Sequence, residues 1–333
     1  MNLDPMEYLL LFVGLVALAN IYIKLALRYN IVDKPNNRSS HIKETVRGGG
    51  IIFPISALGW FIYSGCQFPL FFTGLIIISA ISFWDDLSPV SSKLRLIIHL
   101  GVLLLLFAEI QLYKLPLWSW GPALILSTWI INAYNFMDGI NGITGGYSFS
   151  VFLGLWIVNN YQVGFIGNDL IYFMMVPLIV FSYFNFRINA KCFAGDVGSI
   201  SMAYVIVFLL AKLIIKSGNW LYLLFLSVYG VDTVITILHR LMQKEDIFVA
   251  HRKHIYQLLV NELKISHLTI ASYYSFVQLL ICLIIFVVLD NSDSFLVGLT
   301  TGISIMGILI FVYYVAKIQI YKKIKVIGTS MQN

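Results

Sequence analysis

Eleven apolar stretches, most of them long enough to cross a bilayer, dominate this chain of 333 residues. They run at about 6–27, 48–65, 68–84, 94–110, 122–137, 147–158, 170–186, 197–215, 220–239, 268–289 and 295–318. A helix needs about 20 mainly apolar residues to span the hydrocarbon, because lipid offers no partner to an unpaired backbone group. The sixth stretch is short, so ten or eleven spans are expected. Composition agrees: 59% apolar, 11% charged and a mean hydropathy of +0.85, where a soluble domain carries about 25% charge. A water-soluble enzyme is excluded, and the fold class predicted is an all-α polytopic membrane protein, one domain over 1–333. The first stretch carries Asp4 and Glu7 where a cleaved signal would be basic, so it reads as a retained helix. Cys66, Cys192 and Cys282 show no metal-ligand spacing and read as small buried hydrophobes.

Charge placement then orients the chain. If the spans alternate, 18 of the 22 Lys and Arg residues fall on one side, in 28–47, 85–95, 187–196, 240–267 and the tail from Lys317. Basic loops stay in the cytoplasm, which puts the amino terminus in the periplasm and the carboxyl terminus inside. The same face collects the acids. Asp85 and Asp86 end the third span, Asp138 ends the fifth and Asp196 precedes the eighth, with Asn132, Asn135, Asn141, His251, Arg252 and His254 on that side. Taken singly, these pieces have ordinary readings as turn dipeptides, helix caps and a cationic patch at lipid headgroups. Those readings do not account for a shared face, since caps and turns should fall on either side.

Together the groups suit one chemistry. Oxygen ligands at helix ends hold Mg²⁺ alongside substrate phosphates, and glycine-rich backbone and basic residues suit phosphate oxygens. Joining a phosphate nucleophile to a diphosphate requires repulsion between anions to be screened, which metal ions and cationic side chains do. No Gly-Lys-Ser/Thr loop, dinucleotide fingerprint or Gly-x-Ser-x-Gly elbow occurs, and nothing points to a nucleic-acid partner.

The motifs resemble those of the polyprenyl-phosphate N-acetylhexosamine-1-phosphate transferase superfamily, glycosyltransferase family 4. They are Asp33-Lys-Pro-Asn-Asn-Arg-Ser-Ser-His41, Arg47-Gly-Gly-Gly50, Asp85-Asp86 with Lys93, Asn132-Ala-Tyr-Asn-Phe-Met-Asp138-Gly-Ile-Asn141-Gly, Phe193-Ala-Gly-Asp196-Val-Gly-Ser199 and Ala250-His-Arg-Lys-His-Ile-Tyr-Gln257. The last is most similar to the branch that initiates O-antigen, within lipopolysaccharide and cell-wall biogenesis. The resemblance implies transfer of an N-acetyl(deoxy)hexosamine 1-phosphate from a UDP-sugar to undecaprenyl phosphate, with release of UMP, at the cytoplasmic face of a bacterial inner membrane. It implies Mg²⁺, or Mn²⁺ in its place, and a homodimer. By the same resemblance Asp196, Asp85 and Asp86 would serve the metal. Asp85, Asp86, His251 and His254 would be catalytic. Lys43, Arg47, Asn132, Asn135, Asp138, Asn141, Phe193 and Arg252 would bind substrate, Phe193 by stacking on uracil.

Two departures stand out. Asn141 replaces a frequent Asp, which removes a charge and adds donors. Val46 replaces a frequent Pro before the glycine run, which is expected to loosen that loop. Two rivals differ in testable features. The peptidoglycan enzyme of the superfamily carries a His-His-His cluster, where His251-Arg-Lys-His254 stands here. A lipid transporter would need charges at mid-membrane depth, for which Asp232 and His99 are the best candidates.

Overall fold

The computed structural model describes residues 4–35, 40, 43–246, 251–292 and 294–330, with side chains to 324. All eleven apolar stretches are helical. In order they are α1 (Pro5–Arg28), α2 (Ile52–Tyr63, entered through a 3₁₀ turn at Gly49–Ile51), α3 (Pro69–Leu87), α4 (Ser92–Glu109), α5 (Trp120–Met137), α6 (Ile143–Tyr161), α7 (Asn168–Asn185), α8 (Gly195–Ser217), α9 (Ser227–Met242, after a 3₁₀ segment at Trp220–Leu226), α11 (His267–Asn291) and α12 (Phe295–Ser330). The doubtful sixth stretch is a full helix of 19 residues, because Gly142, in the left-handed region at φ 86°, lets α6 begin earlier than its apolar run. Among the described residues seven helical segments are both long and apolar enough to cross a membrane: α1, α3, α7, α8, α11, α12 and the combined Trp220–Met242. The others are shorter, like α2, carry more charge, like α4 with Lys93, Arg95 and Glu109, or hold more uncharged polar residues, like α5 and α6.

Two features depart from a purely helical chain with plain loops. A short helix α10 (Ile255–Asn261) forms inside the basic 240–267 segment. A two-stranded antiparallel ribbon, β1 (Val32–Asp33) and β2 (Thr45–Val46), ties off the first basic loop.

The centre of the molecule is α8, whose residues from Gly195 to Leu210 are all buried. Its first two turns read Gly-Asp-Val-Gly-Ser-Ile-Ser, small enough for other backbones to approach. A Cβ on Gly50 would stand 2.4 Å from the Gly198 Cα, so the start of α2 crosses α8 backbone against backbone. The Arg47–Gly50 run therefore serves close packing at the start of α8. Gly48 turns in the left-handed region at φ 78°, and a Cβ on Gly49 would strike the Cys192 Sγ at 2.5 Å. Val46 does not loosen this loop. It is 2% exposed, pairs with Val32, bridges to Cys192 and accepts the Phe193 amide at 2.8 Å. Cys192 and Cys282 are buried as expected, but Cys66 is exposed in the α2–α3 turn.

Candidate functional site

The end of α3 meets the start of α8. Asp86 Oδ1 accepts the Asp196 amide at 2.9 Å and Oδ2 accepts the Val197 amide at 3.0 Å. The first turn of a helix has amides without partners. In α8 the residue at the cap position is Ala194, so this carboxylate from a distant helix satisfies them instead. Arg47 closes the corner, with Nε 2.6 Å from Asp86 Oδ1 and Nη2 3.1 Å from Asp196 Oδ1. Its own carbonyl accepts the Tyr22 hydroxyl at 2.7 Å. Arg95, from the first turn of α4, spans the other side: its Nη1 lies 2.7 Å from Asp85 Oδ2 and 3.2 Å from Asp196 Oδ2. Three carboxylates and two guanidiniums thus interlock, and Asp196 is the member both arginines share. The carboxylates beside Arg47 hold its guanidinium more firmly protonated than usual against the opposing effect of burial.

From this cluster a cavity of about 280 Å³ opens toward α5 and α10. Arg47, Asn135, Asp138, Asn141, Phe193 and Asp196, all expected at the site, line it. Asp138 caps the end of α5 and accepts the Thr144 hydroxyl at 2.5 Å. Burial pushes its carboxyl up to about 6, although the Thr144 bond works the other way. Asn135 Oδ1 accepts the Ser199 hydroxyl at 3.1 Å, linking α5 to α8. Asn141 explains its departure from Asp: its Nδ2 donates to the Arg187 and Ile188 carbonyls at 2.8 and 3.1 Å, which a carboxylate could not do. Its Oδ1 is buried without a protein partner. Phe193 is held by backbone bonds on both sides, its amide to Val46 and its carbonyl to Gly49.

Other expected residues lie elsewhere. Asp85 and Asp86 stand behind Asp196 and off the cavity wall. Asn132 folds back on its own helix, donating to the Thr128 carbonyl at 2.8 Å. Lys43 and Lys93 are exposed, and neither lines the cavity. Of the first motif, residues 36–39 and His41 lie outside the described residues, as does Ala250 of the last. His254 is buried, 3.2 Å from Asp232 through Nδ1, and its ring centre is 5.0 Å from that of His251. Burial, with His254 next, lowers the His251 imidazole to about 4. Arg252 is half-buried beside them. The basic segment reaches the cavity through Gln257 and His267 instead. It is fixed there by Tyr256, whose hydroxyl donates to the Phe136 carbonyl at 2.9 Å and packs over Gly139.

Arg95, Asn185 and His267 were not singled out from sequence. Arg95 follows Lys93 by two residues, which on a helix points it to the opposite face, and only the fold shows which of the two meets the acids. Asn185 braces the cavity by accepting the Gly142 amide at 2.7 Å and donating to the Cys192 carbonyl at 2.9 Å. Asp232, the suspected mid-membrane charge, accepts from Tyr274 at 2.7 Å and from the Ile255 amide at 3.1 Å, besides facing His254. It anchors the start of α10 rather than lining a transmembrane path.

Among the described residues no three His, Cys, Asp or Glu side chains are disposed to enclose a metal on their own. Mg²⁺ in nucleotide sites takes only one or two carboxylates and completes its shell with phosphate and water. Asp138 and Asp196, both on the cavity wall, supply that number, and the donor set fits such an ion.

Known proteins resemble the chain across this region. The family described as "Glycosyl transferase family 4" matches residues 68–214, which include the Asp85-Asp86 pair, Arg95, Asp138 and Asp196. The chain is 27% identical over 265 residues to the probable undecaprenyl-phosphate N-acetylglucosaminyl 1-phosphate transferase of Bacillus subtilis, covering 71% of this chain and 72% of that protein. It is 27% identical to the undecaprenyl-phosphate alpha-N-acetylglucosaminyl 1-phosphate transferase of Yersinia pestis over 78% of each chain, and 25% identical to that of Escherichia coli K12 over 71% of each.

Proposed function

Because the chain belongs to glycosyl transferase family 4, among the polyprenyl-phosphate hexosamine-1-phosphate transferases, we propose that it transfers an N-acetylhexosamine 1-phosphate from a UDP-sugar to undecaprenyl phosphate in a bacterial membrane. The observation that carries this reading is the convergence of Arg47, Asn135, Asp138, Phe193 and Asp196, from three separate segments, on one cavity of about 280 Å³. An aromatic ring, amides, carboxylates and a guanidinium are what a uridine diphosphate requires: a surface for the base, donors and acceptors for the ribose, and charge control at the diphosphate.

In the proposed reaction an oxygen of the carrier phosphate attacks the sugar-bound phosphorus of the nucleotide sugar. The bond from that phosphorus to the bridging oxygen breaks, UMP leaves with the electron pair, and a new diphosphate joins sugar to carrier. A phosphate monoester has its second pKa near 6, so the nucleophile is largely ionised at pH 7 and a strong base is not demanded. Asp196 and Asp138 are assigned to Mg²⁺, or Mn²⁺, which when bound screens the two anions and the leaving phosphate. Arg47 and Arg95 hold Asp196 in position and add positive charge. Asp85 orients Arg95, while Asp86 holds the start of α8. Phe193 is assigned to stack on uracil, and Gln257 and His267, which the basic segment brings to the cavity wall, to the diphosphate or sugar side. An apolar trough between α5, α9 and α12, lined by Trp129, Val234, Met306 and Ile310, suits an isoprenoid chain. The names of the relatives favour N-acetylglucosamine, whereas the His251–Gln257 sequence favours an O-antigen starter, whose sugars include 6-deoxy forms. The orientation proposed is that of the basic loops, with the cavity facing the cytoplasm and the four less apolar helices also spanning.

Purified protein is expected to release UMP from a UDP-N-acetyl sugar only when polyprenyl phosphate and a divalent cation are both present. A panel of such sugars identifies the donor. Asp196→Asn should insert normally and lose sugar-lipid formation. Full activity in that variant would overturn the metal assignment.

A further inference from the structure

Outside the catalytic cavity, a second cavity of about 320 Å³ lies where α9 meets α12, with Lys253 at its mouth. Its position suggests a boundary between bilayer and water. The outward face of α12 is apolar and exposed, with Ile308 at 63% and Phe311 at 68%. Lys317 stands where the apolar run of α12 gives way to the basic tail with Lys322 and Lys323. A lysine with no task there would extend along the helix to reach water. This one turns inward. Its Nζ donates to the Tyr313 hydroxyl at 3.1 Å, stands over that ring at 5.2 Å and lies 3.3 Å from His239 Nδ1.

A chain of donors runs on from it. Tyr313 and Thr236 hydroxyls are 3.0 Å apart, and the Thr236 hydroxyl donates to Asp232 at 3.2 Å, the carboxylate that faces His254. The relay leaves Lys317 with donor capacity toward the cavity, since an ammonium has three N–H groups. Lys253 is steadied at the rim by Gln243 and Glu245. Tyr314 and Tyr321 complete the wall with rings that have one apolar and one wet end.

We propose that this cavity binds the phosphate headgroup of an anionic membrane lipid, with Lys317 as its main contact and the acyl chains lying along the exposed face of α12. The ligand is a lipid rather than free phosphate because the cavity is flanked by that apolar face. The test uses the full-length protein in nanodiscs of phosphatidylcholine with and without phosphatidylglycerol, read by native mass spectrometry of retained lipid. Wild type should keep phosphatidylglycerol in preference to phosphatidylcholine. Lys317→Met should lose that preference about tenfold, the size of one charge-assisted hydrogen bond, while Lys317→Arg should keep it. Ile318→Trp, which fills the cavity and leaves the charge, guards against misfolding of the Met variant and should also lose it. Equal retention in wild type, Lys317→Met and Ile318→Trp would overturn the proposal. So would displacement of the lipid by inorganic phosphate at comparable concentration, since the site would then recognise phosphate without its chains.

Discussion

Asp86 and Asp138 carry the same functional group and have been given different work by their neighbours. Asp86 has a fully buried side chain, with both oxygens occupied by Arg47 and by the first amides of α8. Removing it would leave those amides without an acceptor inside the protein, at about 1–3 kcal/mol each, and strip Arg47 of one of its two carboxylates. Asp86→Ala should therefore lower the melting temperature of the detergent-purified protein markedly, whereas Asp196→Asn should melt near wild type and lose turnover. Thermal melts beside a UMP-release assay separate the two. Asp138 is the opposite case. Its folded carboxyl is raised from an ordinary value of 3.8 to about 6, so the fold prefers the neutral acid. Protonated Asp138 costs nothing extra at low pH, and the penalty for ionising it inside the fold grows as pH rises between those two values. Relative to wild type, Asp138→Asn should gain stability across pH 4–6 and hold that gain above pH 7, as seen in melts taken at a series of pH values. A difference in melting temperature that does not change with pH would show that burial does not hold this carboxyl neutral.

At the scale of elements, the start of α8 is the joint on which the site depends. Gly195 opens the helix in the left-handed region at φ 71°, where a Cβ would lie 2.5 Å from Asp86 Oδ2 and 2.7 Å from the Gly48 nitrogen. Gly218 closes the same helix at φ 70° with nothing within 4 Å of its would-be Cβ. The pair forms an internal control. Gly218→Ala should cost about 1–2 kcal/mol, the strain of a left-handed residue, and leave turnover intact. Gly195→Ala carries that strain plus a clash with backbone that cannot move away, so it should lose both stability and activity. Melting curves and turnover on the two variants check this. The helices themselves were legible because apolar runs of bilayer length leave few alternatives, and α6 was underestimated only because Gly142 starts it before its apolar run. The joints were less legible. Arg47 meets Asp196 across 149 residues of sequence, and nothing local to either marks the other. The motif points to Lys93, but the phase of α4 gives the acids Arg95 instead. The ribbon at Val46 and the turn of α10 escaped notice because two and seven residues carry too little periodicity to register. His251 and His254 stood out as a motif, yet the cavity takes Gln257 and His267 from the same segment, since Asp232 draws His254 away into the packing behind it.

For the whole molecule, the decisive quantity is sidedness. The cavity gathers ends of α5 and α8 with the loops that precede α2 and α8, and the basic residues of the chain cluster in the same set of connections. Positive loops resist translocation, and the nucleotide sugar proposed as donor would be supplied from the cytoplasm, so both considerations favour the proposed placing of the cavity at the inner face. Cys66, already exposed in the turn between α2 and α3, provides a native reporter for the opposite face. Lys93, exposed one helix later, reports the cavity face. In intact cells a membrane-impermeant maleimide should label Cys66. With Cys66 replaced by serine, Lys93→Cys should stay unlabelled until the membranes are inverted. Cys192 and Cys282 add no background, being buried, with the Cys192 thiol pushed up to about 12 by its surroundings and so scarcely ionised at neutral pH. Labelling of both positions from the same side would mean that α3 does not cross, and the clustering of Asp85, Asp138 and Asp196 on a cytoplasmic surface would lose its basis. Opposite labelling requires α3 to traverse the bilayer between a bare outer turn and an acidic inner end. That asymmetry lets a helix of 19 residues carry two adjacent aspartates to the headgroup boundary without burying either in hydrocarbon.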